Sequence, residues 1–472
     1  MIADLEPYAD YKDSGVSWLG KVPAHWQIVR SKRLFNPRQE LARPDDVQLS
    51  ATQAYGVIAQ SLYEERTGYR VVKISMHLDK RRHVERDDFI ISMRSFQGGL
   101  ERAWSTGAIR SSYVVLKPEG QVDAAYFRYL FKSVPYIAAL RATGDFIRDG
   151  QDLNYSNFCE VDLPLMPLTE QASIGRFLDL ANGRLERAIR AKRKVIALLM
   201  EQKQAIIERA IARGVDSTSS LKPTSIRGLG DIPERWDVRR LRQVAGMKPS
   251  RAASASRLRK DSEVTFLPMA RVGVDGCIDG SLTAKAGDVW EGFTYFRRGD
   301  VIVAKITPCF ENGKGAFLDN LPTAEGFGST EFHVIRPGPK LLGAYLRLIT
   351  SSKQFLENGK NSMTGSAGQQ RVPTDFVKNY PIAVPPLAQQ REILEVVGRE
   401  ALRFDTIGNR LKREIDVLRE LRTRLIADVV TGKLDVRDAA SRLPEATAID
   451  LDAEPIDEAD DPELIDEEAA EA

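Results

Sequence analysis

Cysteine, histidine and long apolar runs are all scarce in this chain of 472 residues, and each scarcity removes a class of function. The three cysteines, Cys159, Cys277 and Cys309, lie far apart with no CxxC spacing. That argues against a disulfide scaffold or a zinc site, and makes a reducing cytoplasm the expected compartment. The four histidines, His25, His77, His83 and His333, show no metal-ligand spacing and no HExxH. No stretch approaches the roughly 18 apolar residues that a membrane span needs. Met1 to Gly20 is polar and acidic, without the apolar centre of a signal peptide. A phosphate-cradling GxxxxGK[ST] loop is missing, and so is a GxGxxG after a strand. Asn36-Pro37-Arg38 lacks the aromatic that should follow in an amino-methyltransferase motif. The stretch from Gly15 to Gly20 lacks the glycine that a nucleophile elbow places after its serine, here Ser17. No catalytic residue is nominated, no metal and no cofactor is expected in the chain itself, and the sequence argues against an enzyme.

What is present is uneven charge. The net charge of +2 averages two unlike regions. From Ser441 to Ala472 there are 13 acidic residues against one base, Arg442, so the preceding 440 residues carry an excess of 14 positive charges. A body that basic suits a polyanion. The tail, dense in like charge and without periodicity, reads as disordered. It serves either as a solvating appendage or as a competitor for the basic face.

The chain also repeats itself. Leu19-Gly20-Lys21-Val22-Pro23-Ala24-His25-Trp26 returns as Leu229-Gly230-Asp231-Ile232-Pro233-Glu234-Arg235-Trp236. Tyr113-Val114-Val115-Leu116-Lys117-Pro118 returns as Phe332-His333-Val334-Ile335-Arg336-Pro337, and Pro167-Leu168-Thr169-Glu170-Gln171 as Pro386-Leu387-Ala388-Gln389-Gln390. One large period of about 210–219 residues, found twice, means two copies of a whole domain-plus-helix unit. The expected organisation is an N-terminal segment 1–22, a mixed region 23–167, a long helix 168–213, a linker 214–232, a second mixed region 233–385, a second long helix 386–432 and the tail 433–472. Within the first mixed region, Ala124 to Leu140 predicts a helix. Trp26 and Trp236 read as buried anchors.

Both long helices carry a seven-residue apolar rhythm. Leu178, Leu185, Leu199 and Ile206 mark the first, with Lys192 in the one polar position and Ile189 and Ile196 beside them. Val397, Phe404, Leu411, Leu418 and Leu425 mark the second in the same register. Helices of about 45 residues, roughly 65 Å long, that share such a seam predict a coiled coil. Because each follows its own globular region, the pairing is expected to be antiparallel. The fold class is therefore α+β: two tandem mixed domains joined by two long antiparallel helices, with a pseudo-twofold internal repeat.

Polar density collects in loops after strands. In the second half the run from Gly299 to Gly315 ends in a loop carrying Lys305, Thr307, Asn312 and Lys314, and the matching loop of the first half carries Arg94, Ser95 and Gln97. A second loop lies ahead of each long helix, with Arg148 and Gln151 in the first half and Gln369, Gln370 and Arg371 in the second. Arginine and lysine pair with guanine edges or phosphates, and amides pair with adenine. These twelve residues are the candidates for contact with double-stranded DNA. The same glycines also satisfy ordinary hairpin geometry.

Together the Ile/Val-Pro-x-x-Trp entries at 22–26 and 232–236, the stretch Ala304-Lys305-Ile306-Thr307-Pro308-Cys309-Phe310-Glu311-Asn312-Gly313-Lys314-Gly315 and the Pro-Leu-x-x-Gln helix openings resemble the specificity subunit of type I restriction–modification systems. The resemblance spans about 430 residues and leaves out the extreme N-terminus and the acidic tail. It implies two target-recognition domains, each reading half of a split DNA sequence, with the paired helices as a ruler for the unspecified spacer. It implies docking of two modification (methyltransferase) subunits that bind S-adenosylmethionine and methylate adenine. A restriction (motor–nuclease) subunit, using ATP and Mg, would join for cleavage. The alternatives are a coiled-coil protein-binding adaptor and a DNA enzyme with degenerate motifs.

Overall fold

The computed structural model describes residues 5–71, 80–92, 95–144, 153–216, 218–224, 226, 230–252, 258–366 and 369–443. The acidic tail beyond 443 and its expected disorder lie outside the described residues. The chain divides into two compact units, residues 1–194 with 411–472, and residues 195–410.

In the first unit a four-stranded antiparallel sheet runs in the order Phe35–Pro37, Val114–Pro118, Phe89–Ile91, Glu101–Arg102. Side chains of a strand alternate between its faces. Phe89, Ile91 and Leu116 accordingly join one core with Phe35, Phe127, Phe131 and Phe158. Ile90 and Val115 join a smaller core with Leu49, Val57, Val84 and Ile109 on the other side. The rings of the larger core meet edge-on or tilted, as with Phe35 and Phe127 at 5.2 Å or Phe89 and Phe131 at 5.1 Å between centroids. The single helix expected over 124–140 is two, Ala124–Phe131 and Val134–Ala142. Pro135 lies in the first turn of the second, where its missing N–H is harmless. Inside a continuous helix it would clash with the preceding turn.

The second unit repeats the plan. Its sheet runs Ala245–Met247, Phe332–Pro337, Val301–Ala304, Gly315–Phe317, again antiparallel throughout. Val301, Val303 and Ile335 face one core, and Ile302, Val334 and Phe332 face another. An additional four-stranded sheet, ordered Thr283–Lys285, Glu263–Leu267, Glu325–Gly328, Thr294–Arg297, has its own core around Phe327, Tyr295 and Val264. The repeat read from the sequence is thus a repeat of topology.

The long helices span Leu168–Arg213 and Leu387–Val430. In the first unit Ile174, Phe177, Leu178 and Ala181 share a core with Leu425, Val429 and Val430, and further along Lys192 Nζ donates to Glu414 Oε2 at 2.6 Å. In the second, Lys203 Nζ meets Asp405 at 2.8 Å, while Ile207, Ala210 and Ile211 pack with Ile393 and Val397. Within each unit the helices run antiparallel. Leu178, Leu185, Val397 and Leu425 are buried, and Leu199, Ile206, Phe404, Leu411 and Leu418 are half-buried. Lys192 interrupts the apolar rhythm because it reaches a carboxylate on the partner helix. Each long helix ends at a glycine with positive φ, Gly214 at 73° and Gly432 at 77°. These glycines lie against the tryptophan anchors: a Cβ on Gly214 would come within 3.1 Å of the Trp236 ring, and one on Gly432 within 3.0 Å of Trp26. Both tryptophans are buried.

The helix openings repeat down to their hydrogen bonds. Gln171 Nε2 donates to the carbonyls of Met166 and Gln121, and its Oε1 accepts from the Asp123 N–H. Gln390 does the same with Pro385, Lys340 and Leu342. Both side chains are fully buried, at 0% exposure. The preceding residue in each motif holds the tryptophan: Trp26 Nε1 donates to Glu170 at 2.9 Å and Trp236 Nε1 to Gln389 at 2.7 Å. Gln390→Leu keeps the volume and strands three buried backbone groups. It should cost about 3 kcal/mol of unfolding free energy, read as a lower midpoint in urea. Gln389→Leu, which orphans one indole N–H, should cost about 1 kcal/mol. Equal losses for the two would refute this account of the motif.

Candidate nucleic-acid interface

The polar loops of the second unit are zipped together. Strand Val301–Ala304 is wholly buried and its pairing with Gly315–Phe317 closes the loop 305–314. Inside the loop, Phe310 N–H donates to Ile306, Asn312 to Pro308 and Lys314 to Cys309, all within 3.0 Å. Phe310 is fully buried and packs 5.9 Å from Phe355, which pins the loop to the core. Gly315 is required where it stands, because a Cβ there would come within 2.5 Å of the Ile302 carbonyl. The loop ahead of the long helix closes on itself through two backbone bonds between Thr364 and Arg371. It joins the first loop through Thr307 N–H to the Gln370 carbonyl, Val372 N–H to the Lys305 carbonyl and a bridge between Ile306 and Arg371.

Lys305, Thr307, Gln370 and Arg371 therefore lie at one edge, with Gln369 and Asn312 exposed on the same loops. Arg371 is not free: its guanidinium forks onto Glu331 at 3.0 Å. That hydrogen bond holds the Glu331 carboxyl below its ordinary value. Exposed pairs of this kind contribute about 0–1 kcal/mol, little enough for an arriving phosphate or guanine edge to displace. Lys314 differs from the expectation. Its ammonium turns towards the Met269 carbonyl, 3.4 Å away, and so ties the loop to a neighbouring turn.

In the first unit fewer candidates can be placed. Arg94, Arg148 and Gln151 lie outside the described residues. Ser95 does not suit a base contact: it is 1% exposed, and its hydroxyl accepts from the Ser92 N–H at 2.9 Å, a local turn bond. Gln97 is exposed, and its carbonyl accepts from Arg141 at 3.3 Å.

Two groups beneath these loops escaped the sequence reading. One is a buried aspartate under each sheet. Asp300, at 0% exposure, receives two hydrogen bonds from Arg336 at 2.7 Å. Asp88, in the matching strand position, receives two from Arg38 at 2.7 and 3.0 Å. The arginine arrives from a different strand in each case, so comparing the repeats position by position misses the pairing: Arg336 aligns with Lys117. Arg38, set aside above as a failed methyltransferase motif, is thus structural. The other group is His333, whose Nε2 lies 2.9 Å from the Val372 carbonyl and so braces the zipped loops from below. Its strand neighbours Phe332, Val334 and Ile335 are apolar on both faces, which was the signal that this histidine faces a packed side.

The arrangement offers hydrogen-bond donors and positive charge on rigid loops. Among the described residues there is no cluster of His, Cys, Asp or Glu able to hold a metal.

Comparison with known proteins places this geometry. Residues 233–415 match the family model of the type I restriction modification DNA specificity domain. The EcoAI specificity subunit of Escherichia coli, a type I restriction enzyme component, is 40% identical over 35% of this chain and 28% of its own length. The EcoEI specificity subunit of Escherichia coli is 35% identical over 43% of this chain and 34% of its own length. The matched stretches thus span about a third of those relatives. A chain of a solved structure concerned with complex assembly and conformational transition of the type I R-M system aligns at a TM-score of 0.61 and 15% identity, covering 88% of this chain and 99% of that one. At that identity the likeness concerns the fold. The resemblance to type I specificity subunits read from the sequence is borne out.

His333 makes the site sensitive to acid. Burial holds its imidazole below the ordinary value, against the opposing effect of the Val372 hydrogen bond, and the charge of Lys305 adds to the lowering. The unfolded chain then binds the proton more readily than the folded one. The contribution to stability is complete above about pH 6.5 and is lost as pH falls towards the folded value. Between pH 7 and pH 5 the wild-type chain should lose more thermal stability than His333→Gln. Equal slopes would exclude the role.

Proposed function

We propose that this chain is the DNA-recognition subunit of a type I restriction–modification complex, reading a two-part target with one domain for each half. The observation that carries the reading is the pair of topologically matched units whose loop tips differ. A common sheet and a common helix opening hold Lys305, Thr307, Gln370 and Arg371 in one half and different side chains in the other. Such loops suit major-groove readout, in which donors and acceptors on base edges are matched by amide and guanidinium groups. The antiparallel long helices serve as the ruler that sets the unspecified spacer between the half-sites. The chain supplies recognition only. Two modification subunits carry S-adenosylmethionine and methylate adenine, and a motor–nuclease subunit using ATP and Mg joins for cleavage.

Apolar side chains left exposed on the long helices support a helical partner. Val195 is 44%, Leu198 49%, Leu402 70% and Val417 64% exposed. A partner helix would cover such positions where they lie together on one helix face.

Three experiments test the reading. Adenine methylation mapped across host DNA, with the cognate modification subunit co-expressed, should give a split motif with a fixed gap. Inserting four residues at Gly214 should lengthen the gap and leave both half-sites unchanged; an altered half-site, or methylation indifferent to this chain, would defeat the ruler or the reading itself. Leu402→Glu should reduce co-purification of the modification subunit at least tenfold while the melting temperature of the isolated chain stays within about 2 °C, since surface changes stay within about 0.5 kcal/mol. Undiminished co-purification would rule out this part of the helix as the docking surface.

A further inference from the structure

Several buried or half-buried arginines in the first unit have a carboxylate. Arg38 has Asp88, Arg102 has Asp87 and Arg128 has Asp179. Even His83, buried on the strand Arg82–Val84, faces Asp46, with Nδ1 2.8 Å from Oδ2. Arg81 differs from these. It is 6% exposed, and among the described residues its guanidinium has no hydrogen bond and no ion pair. The charge that acts on it is another cation: burial, and then the neighbouring Arg110, hold its guanidinium below the ordinary value.

The ladder explains the juxtaposition. Strand Gly107–Ile109 pairs antiparallel with Arg82–Val84 in the register Gly107↔Val84, Ala108↔His83, Ile109↔Arg82. One step further the same register sets Arg110 opposite Arg81, on the face that His83 shares. Like charges directly opposite on a ladder destabilise it, and no carboxylate among the described residues offsets the repulsion. With no carboxylate among the described residues beside them, the two guanidiniums leave room for an anion from outside. The forked donors of two guanidiniums match the tetrahedral oxygens of a phosphate.

We propose that Arg81 and Arg110 form an oxyanion seat that takes a backbone phosphate of duplex DNA. The inference rests on the DNA-recognition reading and adds to it a phosphate anchor away from the base-reading loops. The anchor positions the first unit on the duplex and carries no sequence information. Neither residue belongs to the loops nominated from the sequence.

The test uses the full-length chain and the double variant Arg81→Gln/Arg110→Gln, with Arg86→Gln, an exposed arginine of the same lobe, as the control. Affinity for a duplex is measured as a function of salt. The double variant should lower the slope of log affinity against log salt by about one unit, as expected for one lost phosphate contact, with the control close to wild type. Its methylation motif should be unchanged in the assembled complex. Its melting temperature in chloride should equal or exceed that of the wild type, because an unpaired charge has been removed; an arginine that merely braced the fold would lower it. Inorganic phosphate at matched ionic strength should raise the wild-type melting temperature and leave the variant's unmoved. If wild type binds duplex and the variant keeps the same slope, the seat is overturned and the recognition reading stands, even where phosphate protects, since that would be an adventitious ion only. If the wild type and its complex with modification subunits both fail to bind duplex, the reading and the seat fall together.

Discussion

Each long helix is tied to its own domain by one glutamine side chain, at the point where the preceding strand stops. Strand, turn and helix N-terminus converge there with N–H and C=O groups that no regular ladder reaches. Gln171 and Gln390 answer this with one side chain each. Every polar atom of the amide is directed at a buried backbone group: two carbonyls from the two amide hydrogens, one N–H to the amide oxygen. No other side chain of similar length offers two donors and an acceptor without a charge. Glutamate would repel the carbonyls, and leucine would strand all three groups. This explains why the final glutamine is common to both helix openings, while the position before it varies between Glu170 and Gln389. That position need only accept a hydrogen bond from an indole.

From this joint the helix is coupled to both ends of its domain. The tryptophan held by Glu170 or Gln389 packs on the glycine that ends a long helix, Gly432 in the first unit and Gly214 in the second. Each globular core is therefore closed by the start of one long helix and the end of the other. In the first unit Tyr8 and His25 add two more contacts to the same Glu170 carboxylate, at 2.8 Å each. Glu170 thus accepts three side-chain donors where Gln389, among the described residues, accepts the indole alone, and the extra acceptor strength of a carboxylate suits the larger demand.

Much of this framework was legible in the residues, for definite reasons. The heptad rhythm from Leu178 to Ile206 and from Val397 to Leu425 is a long, one-period signal, and an antiparallel pair satisfies it. The duplicated Pro-x-x-Trp and Pro-Leu-x-x-Gln motifs survive because each residue has a structural partner that tolerates few replacements. The break at Lys132–Ser133 was missed because the apolar pattern continues across it and only Pro135 betrays it. The ion pairs beneath the sheets were hidden for a different reason. Asp88 and Asp300 keep their place, but their arginines come from different strands, and a contact that conserves charge without conserving position leaves no mark on a repeat. The loops were recognisable as polar tips, yet the sequence could not tell an outward side chain from one that stays home. Ser95 and Lys314 are spent on their own backbone, whereas Gln369 and Asn312 point outward.

The distinction that emerges is between charge that is answered inside the protein and charge that is not. Removing one partner of Asp300–Arg336 or Asp88–Arg38 would leave a buried ion uncompensated, at a cost of about 3–5 kcal/mol. Those residues are thereby fixed to the fold and unavailable to a ligand. Arg371 stands between the two cases: its partner Glu331 orients it at the edge but holds it weakly, because both are open to solvent. Arg81 lies at the far end, buried and, among the described residues, facing another arginine. A basic body with 14 excess charges need not owe its affinity for a polyanion to the whole of that excess. Paired cations contribute little field beyond their own carboxylates, so the attraction comes chiefly from cations that folding has left unanswered. Reading a DNA-binding surface from composition overstates its extent; counting which cations lack a partner narrows it to places where a phosphate or a base edge completes a hydrogen-bonding set that the chain began.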